Sequence, residues 1–231
     1  LNKMAPGSVV LLHACCHNPT GADMSDAQWA EVVGLCKERG LVPFLDMAYQ
    51  GFADGIDADA VAIRAFSASG LQFFASSSFS KNFSLYGERV GALSIVTASK
   101  EEAGRVMSQV KRVIRTNYSN PPIHGGALVA AVLASPELRA QWEQELAGMR
   151  DRIRAMRTGL VDAIKAAGVK QDFSFVVKQR GMFSYTGLTA AQVETLKNDF
   201  GIYAVSTGRI CLAALNTKNI GYVAEAIAKV L

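Results

Sequence analysis

The chain has 231 residues, of which 50% are hydrophobic and 19% are charged, with a formal net charge of +4. This composition supports a substantial core in one or two domains and excludes a disordered chain. No apolar run approaches the ~18 residues of a membrane span, and residues 1–7 lack a signal-peptide pattern, so we expect a cytoplasmic protein without a membrane partner. The basic residues form no stripe and match no nucleic-acid-binding motif, which argues against nucleic acid as a partner.

The first hundred residues alternate short apolar runs with amphipathic segments. Ser25, a possible N-cap, precedes a helical pattern that ends at Gly40. The predicted strands cover residues 9–14, 41–45, 71–75 and 92–96. Strands in this rhythm, separated by helical crossovers or long connections, predict an α/β fold with a mostly parallel sheet.

The second half of the chain is predicted to be α+β. The predicted helices cover residues 100–115, 125–133, 136–167 and 189–200 and the C-terminal residues, and the predicted strands cover residues 173–177, 182–185 and 209–215. The helix over residues 136–167, about 48 Å long at 1.5 Å per residue, is predicted to bridge a large domain (residues 1–142) and a small C-terminal domain (residues 143–231).

Two histidines and two cysteines lie close together in the sequence, at His13, Cys15, Cys16 and His17. In a strand, the two cysteines point to opposite faces, and the two histidines lie about 13 Å apart at ~3.3 Å per residue. Neither pair can close around one ion. We therefore expect no metal site and interpret the cysteines as buried thiols in a reducing compartment.

The clearest chemical signal is a lysine, Lys81, that follows an apolar strand and lies near the hydroxyls of Ser78 and Ser80 and the guanidinium of Arg89. A lone lysine is usually a solvated surface residue. An amine that forms a Schiff base needs partial desolvation and nearby positive charge, and an arginine with serine hydroxyls is suited to phosphate. Aldehyde capture combined with phosphate binding indicates pyridoxal phosphate.

Further polar residues follow the other predicted strands. Asn18 comes after the first strand, and Asp46 and Tyr49 after the second. Ligands of open parallel sheets bind outside the carboxyl ends of the strands, so these groups are predicted to meet there. Asp46 could cap a turn, or it could face a pyridine nitrogen, where it would keep the ring protonated and electron-accepting.

Five segments resemble class I aminotransferases of fold type I in order and spacing, and the resemblance extends over essentially the whole chain. These segments are residues 17–21, 46–52, 78–91, 115–122 and 208–209. The similarity is greatest to the bacterial aspartate and aromatic branch, and residues 83–89 and 179–187 look more like its aromatic members. The implied fold is part of a large cofactor-binding α/β domain and a smaller α+β C-terminal domain, joined by the long helix.

The resemblance also implies a role for each candidate residue in the cofactor site. Lys81 would form the Schiff base with pyridoxal phosphate and, once released, move a proton during catalysis. Asp46 would pair with the pyridine nitrogen, and Asn18 and Tyr49 with the ring oxygen. The implied phosphate ligands are Ser78, Arg89 and, more weakly, Ser80.

Two arginines would bind the substrate. Arg209 would hold the α-carboxylate of an amino acid or 2-oxo acid, a bidentate task for a guanidinium. Arg115 resembles the arginine that reaches the neighbouring subunit's site and holds the distal carboxylate of aspartate, glutamate or 2-oxoglutarate. This role requires a homodimer.

The implied activity is amino-group transfer between aspartate or an aromatic amino acid and 2-oxoglutarate. A β-lyase or decarboxylase with the same cofactor, or a non-catalytic fragment, are the alternatives. Residues 210–214 are less polar than in the aspartate branch, which argues against strict aspartate specificity. The chain also resembles the family fold from its middle onward, so we expect a fragment that lacks an N-terminal segment and is inactive alone.

Overall fold

A computed structural model describes all residues, 1–231, and divides the chain into two units. Unit 1 consists of Leu1–Cys15, Met24–Gly51 and Gly55–Glu145, and unit 2 of Cys16–Asp23, Phe52–Asp54 and Leu146–Leu231. The boundary at residues 145 and 146 falls inside the longest helix, α5 (Pro136–Ala166). No helix combines the length and the apolar character needed to cross a membrane.

Unit 1 is an α/β unit built on one four-stranded sheet. Its strands are β1 (Val9–His13), β2 (Val42–Met47), β3 (Phe73–Ser78) and β4 (Gly91–Val96), and its helices besides the start of α5 are α1 (Asp26–Arg39), α2 (Val61–Ala68), α3 (Lys100–Asn117) and α4 (His124–Ala134). The strand order is β1-β2-β3-β4. The first three strands are parallel, and β4 is antiparallel to β3, which confirms a mostly parallel sheet.

The core of unit 1 lies on one face of this sheet. Trp29 of α1 meets Phe66 of α2 edge to face, and Phe66 in turn packs against Phe73 of β3, with ring centroids 6.4 and 5.8 Å apart. The predicted signals at the ends of α1 are confirmed. Ser25 and Gln28 form a capping box, and Gly40 ends the helix in the left-handed conformation that glycine adopts without strain.

Unit 2 contains a two-stranded antiparallel sheet and helices. Its elements besides the end of α5 are α6 (Phe175–Lys178), β5 (Phe183–Tyr185), α7 (Ala190–Phe200), β6 (Arg209–Cys211) and α8 (Ile220–Val230). The helix predicted over residues 189–200 forms as α7, with a capping box of Thr189 and Gln192 at its start and Gly201 at its end.

Two predicted strands in unit 2 are wrong in part or in whole. The segment 173–177 is not a strand, since residues 175–178 form the short helix α6. Its buried residues, Phe173 and Val176, are three positions apart, which is the spacing of a helical turn. The strand predicted over residues 209–215 ends at Cys211 and continues as a 3-10 turn from Leu212 to Ala214.

Candidate active site

A carboxylate and two hydroxyls share one face of the sheet in unit 1. Asp46 of β2 lies opposite Ser76 of β3, and the Ser76 hydroxyl donates a hydrogen bond to Asp46 Oδ1 at 3.0 Å. Ser78 lies on the same face because side chains alternate along a strand. The sequence predicts Asp46 and Ser78 just beyond the ends of their strands, and this prediction is wrong. Both residues lie inside their strands. All three side chains are half-buried, so a ligand can reach them.

Lys81 lies three residues beyond the end of β3. Its Nζ is 4.5 Å from the centroid of the Tyr49 ring, a cation–π distance. Tyr49 itself follows β2 and is only 5% exposed. The ring therefore forms a fixed apolar wall on one side of the amine. The structure thus brings together Lys81 and Tyr49, which the sequence placed after different strands.

The loop around Lys81 is held by hydrogen bonds on both sides of that residue. Before it, the backbone N–H of the buried Ser80 donates to the Ser78 hydroxyl at 3.2 Å. After it, the Asn82 amide donates to the carbonyl of Gln50 at 3.3 Å, and the indole of Trp142 donates to the carbonyl of Asn82 at 2.7 Å. The amine is thereby carried by an anchored loop. The contribution of Trp142 was not predicted.

Arg89 occupies a tight turn before β4. Its φ of 52° is in the left-handed region, and its Nη1 donates to the carbonyl of Tyr86 at 3.3 Å. Two residues later, a Cβ on Gly91 would lie 2.7 Å from the carbonyl oxygen of Ser77. Only glycine allows β4 to approach β3 this closely. The guanidinium is exposed, which leaves it accessible to an anion.

Arg115 lies in the last turn of α3 and is exposed. Its guanidinium donates to the hydroxyl of Ser119, a residue with a positive φ of 67° just beyond the helix. This places a cation at the surface of unit 1. A surface position is compatible with the prediction that the side chain serves another subunit.

Unit 2 contains a second group of candidate residues, centred on Arg209 at the start of β6. Its Nη1 donates to Oδ1 of Asn18 at 2.9 Å, although the two residues are 191 positions apart in sequence. The guanidinium also lies over the ring of Phe183, 4.6 Å from the centroid. The sequence predicts Asn18 as a partner of a cofactor oxygen, but it does not predict the pairing with Arg209 or the position of Phe183 against the guanidinium.

The residue before Arg209 shows why this strand begins where it does. Gly208 has a φ of +86°, and a Cβ there would lie 2.7 Å from the carbonyl oxygen of Leu188. Its own carbonyl accepts hydrogen bonds from the backbone N–H and the hydroxyl of Thr186, at 3.0 and 2.7 Å. The backbone directly before Arg209 is therefore held in place.

A model of the family described as aminotransferase class I and II matches residues 1–227. The chain belongs to this family. Over all 231 residues it is 65% identical to an aspartate aminotransferase of Pseudomonas aeruginosa and 52% identical to an aromatic-amino-acid aminotransferase of Escherichia coli. In both cases the chain spans 58% of the length of the relative.

The solved structures give the same result for the fold. An aromatic-amino-acid aminotransferase from Burkholderia pseudomallei, covalently bound to pyridoxal phosphate, matches the whole chain with a TM-score of 0.98 and 71% identity, over 58% of its own length. A mitochondrial aspartate aminotransferase from Trypanosoma brucei matches 99% of the chain with a TM-score of 0.97 and 46% identity, over 60% of its length. The predicted family and fold class are thus confirmed.

Proposed function

We propose that the protein is a pyridoxal-phosphate-dependent aminotransferase that exchanges an amino group between aspartate or an aromatic amino acid and 2-oxoglutarate. The observation that carries this proposal is the position of Lys81. Its Nζ lies against the Tyr49 ring, and the residue follows β3, the strand that pairs with β2 and places Ser76 opposite Asp46. Relatives with at least 50% identity include both aspartate and aromatic-amino-acid aminotransferases, which supports both donor classes.

The side chains of unit 1 fit this cofactor by the chemistry of their functional groups. The half-buried amine of Lys81 suits an aldehyde, and the Asp46 carboxylate suits a protonated ring nitrogen. The hydroxyl of Ser78 and the exposed guanidinium of Arg89 suit a phosphate. When bound, pyridoxal phosphate supplies the aldehyde and a ring that accepts the electrons released at the substrate Cα.

Lys81 has the central role in the proposed reaction. With pyridoxal phosphate held by these residues, the Nζ of Lys81 would be the base that moves a proton between the substrate Cα and C4′. The Tyr49 ring and the anchored loop around Ser80 and Asn82 limit the positions open to the amine. This restraint favours proton transfer because the amine is held near the bond that breaks.

Asp46 keeps the pyridine nitrogen protonated in this proposal. Its Oδ1 accepts the hydrogen bond from Ser76, which fixes the orientation of the carboxylate on the sheet face. Ser76 is thus a positioning residue that was not predicted from the sequence. The Tyr49 hydroxyl is proposed to donate to the ring oxygen.

Arg209 is proposed to bind the substrate α-carboxylate. A guanidinium has five N–H donors, and the bond to Asn18 uses one of them, so a bidentate pair with a carboxylate remains available. Because Asn18 accepts through Oδ1, only its NH2 group can donate to a ring oxygen. Arg115 is proposed to hold a distal carboxylate in the partner subunit of a homodimer.

The test is reductive fixation of the cofactor in the full-length protein. After addition of pyridoxal phosphate we expect visible yellow absorbance, borohydride fixation on the peptide that contains Lys81, and amino transfer from aspartate or phenylalanine to 2-oxoglutarate. Lys81→Ala should lose all three, whereas Lys170→Ala, which removes an exposed lysine, should keep them. Colourless protein would refute the proposal, and release of pyruvate, ammonia and sulfide from added cysteine, without amino transfer, would indicate a lyase.

A further inference from the structure

Helix α5 contains a buried arginine that none of the proposed roles uses. Arg157 is 2% exposed and lies between the buried residues Ile153 and Leu160 of the same helix. Removing a guanidinium from water costs several kcal/mol, which an apolar side chain at the same position would avoid. A charge kept at such a position needs an explanation in terms of what it binds.

All of the oxygens that Arg157 binds are neutral. Its Nη1 donates to the carbonyl of Val176 at 2.9 Å and to the Ser184 hydroxyl at 2.7 Å. Its Nη2 donates to the carbonyls of Gly181 and Phe183, both at 2.7 Å. One planar group thus fixes four points between residues 176 and 184. Neither a lysine nor an apolar residue can supply this set of directed donors.

The fixed segment supports the carboxylate-binding arginine. Phe183 lies beneath the Arg209 guanidinium, and its carbonyl is one of the four acceptors. In the β5–β6 pair, Ser184 lies opposite Ile210 and Tyr185 opposite Arg209. A shift of this short strand would therefore move both the ring under Arg209 and the strand from which Arg209 extends.

The same segment also holds the residues around Asn18. The backbone N–H of Arg180 donates to the carbonyl of Gly21 at 2.7 Å. A Cβ on Gly21 would lie 2.6 Å from the Phe183 carbonyl oxygen, so the two backbones are in close contact. Asn18, three residues before Gly21, is the acceptor for Arg209. Both neighbours of the Arg209 guanidinium thus depend on the segment that Arg157 fixes.

We propose that Arg157 is a positioning residue for recognition of the substrate α-carboxylate by Arg209. It acts through Phe183 and the Asn18 segment and does not touch substrate. The inference rests on the proposed function, because it takes Arg209 to be the carboxylate site.

The donors of Arg157 persist at physiological pH. Burial is the main cause that lowers the pKa of the guanidinium, to about 10, and the positive charge of Arg180 acts in the same direction. The group is still protonated at neutral pH, so all four hydrogen bonds are present there. Recognition of the carboxylate should accordingly show no titration of Arg157 in the physiological range.

The test compares two arginines of α5 in the full-length protein loaded with pyridoxal phosphate. Arg157→Met removes the four hydrogen bonds and keeps much of the side-chain volume. Arg152→Met is the matched control, since the exposed Arg152 also donates to backbone carbonyls, those of Leu215 and Ala213, each at 2.8 Å. The readouts are equilibrium binding of maleate, an unreactive dicarboxylate, hydrogen exchange in residues 181–186 and 208–212, and steady-state kinetics.

We expect Arg157→Met to weaken maleate binding and raise KM about tenfold for aspartate and phenylalanine alike, with kcat changed less than about threefold. Exchange should accelerate in both segments, and cofactor absorbance should be unchanged. Arg157→Lys should fall between Arg157→Met and the parent. Unchanged maleate affinity, or an equal loss in Arg152→Met, would overturn the inference.

A milder variant decides the question if Arg157→Met does not fold. Ser184→Ala removes one of the four acceptors and should weaken maleate binding about two- to threefold, and an unchanged affinity would count against the inference. Failure of the proposed function gives a different result. In that case the parent protein would not take up cofactor, while hydrogen exchange would still show whether Arg157 fixes the β5–β6 pair.

Discussion

Trp142 donates its indole N–H to the carbonyl of Asn82, the residue after Lys81, at 2.7 Å. Its ring also stacks on Phe83, with centroids 4.5 Å apart. Both contacts lie within unit 1 and join the start of α5 to the loop that carries the amine. The position of Lys81 thus depends on a residue 61 positions later in the chain.

Replacement of this tryptophan should therefore affect both stability and Lys81. Trp142→Phe can keep the stacking but loses the hydrogen bond, so we expect a loss of about 1 kcal/mol in the free energy of unfolding and slower attachment of pyridoxal phosphate. Urea unfolding and the rise of visible absorbance measure the two effects. Trp29→Phe, in the apolar cluster with Phe66, should lower stability without slowing attachment. Equal rates of pyridoxal phosphate attachment in the parent, Trp142→Phe and Trp29→Phe would contradict this prediction.

Two glycines in unit 2 allow the cost of backbone strain to be measured separately from the cost of a steric clash of an added Cβ. Gly208 and Gly201 have φ values of +86° and +63°, but only at Gly208 would a Cβ meet another atom, the Leu188 carbonyl oxygen at 2.7 Å. Gly201→Ala should cost about 1 kcal/mol of stability through strain alone. Gly208→Ala should cost more and also weaken maleate binding, because Arg209 follows directly. Equal costs in urea unfolding, with maleate binding intact, would show that the backbone at Gly208 adapts.

Substrate choice should depend on Arg115. If its exposed guanidinium serves the distal carboxylate, Arg115→Leu should reduce kcat/KM for aspartate by about two orders of magnitude or more and that for phenylalanine far less. This contrasts with Arg157→Met, which should affect both substrates equally. Equal losses after Arg115→Leu would refute the assignment.

Mixing two inactive variants tests whether Arg115 works in the partner's site. In a mixed dimer of Arg115→Leu and Lys81→Ala, the subunit that keeps Lys81 receives Arg115 from its partner. Random assortment of a symmetric dimer should then restore about a quarter of the parent activity towards aspartate. Absence of any recovery, with exchange of subunits verified by mass spectrometry, would mean that Arg115 acts within its own subunit.

Thiol reagents should label Cys211 first. It is half-buried, whereas Cys15, Cys16 and Cys36 are buried. Cys211 lies opposite Phe183 in the sheet and shares a face of β6 with Arg209. Mass spectrometry should find a single rapid adduct at Cys211, and maleate binding should weaken in proportion. The variant Cys211→Ser should resist labelling and keep its affinity. Loss of maleate binding in that variant under the same treatment would place the sensitive thiol elsewhere.

Cys36 should contribute to unfolding at alkaline pH. Burial raises the pKa of its thiol above the ordinary value of 9.0, because the thiolate is poorly solvated there. The neutral thiol contributes to the free energy of unfolding. This contribution is fully present below pH 9.0 and is lost as pH rises through the pKa of the folded state. Urea unfolding between about pH 8 and 10 should therefore show a smaller decline for Cys36→Ala than for the parent. Parallel declines would exclude this contribution.

The sheet of unit 1 and helix α1 could be predicted because their local signals agree, whereas α2 was not predicted and β3 covers residues 73–78 instead of 71–75. Apolar runs indicate the strands, and Ser25 and Gly40 indicate the two ends of α1; Gln28, which completes the capping box, was not predicted. The segment 173–177 was mistaken for a strand because β-branched valines favour strands. A turn around Ser174, whose backbone and hydroxyl bind the Asp172 carboxylate, starts the short helix instead.

The burial of Arg157 could not be predicted from the sequence. Four of the five buried residues of α5 are apolar, and Arg157 is the fifth. Hydropathy cannot indicate that an arginine occupies a buried position. The pairing of Arg209 with Asn18 was also beyond prediction, since no local pattern joins residues 191 positions apart.

The close contact between Gly21 and the Phe183 carbonyl limits where the gene can be cut to give an intact C-terminal fragment. Residues 16–23 precede most of unit 1 in the sequence, yet they belong to unit 2 and carry the acceptor for Arg209. A gene cut within α5 would produce a C-terminal piece without this acceptor. A recombinant of two homologous genes must therefore take residues 16–23 and the C-terminal part of unit 2 from the same parent to keep the contacts around Arg209.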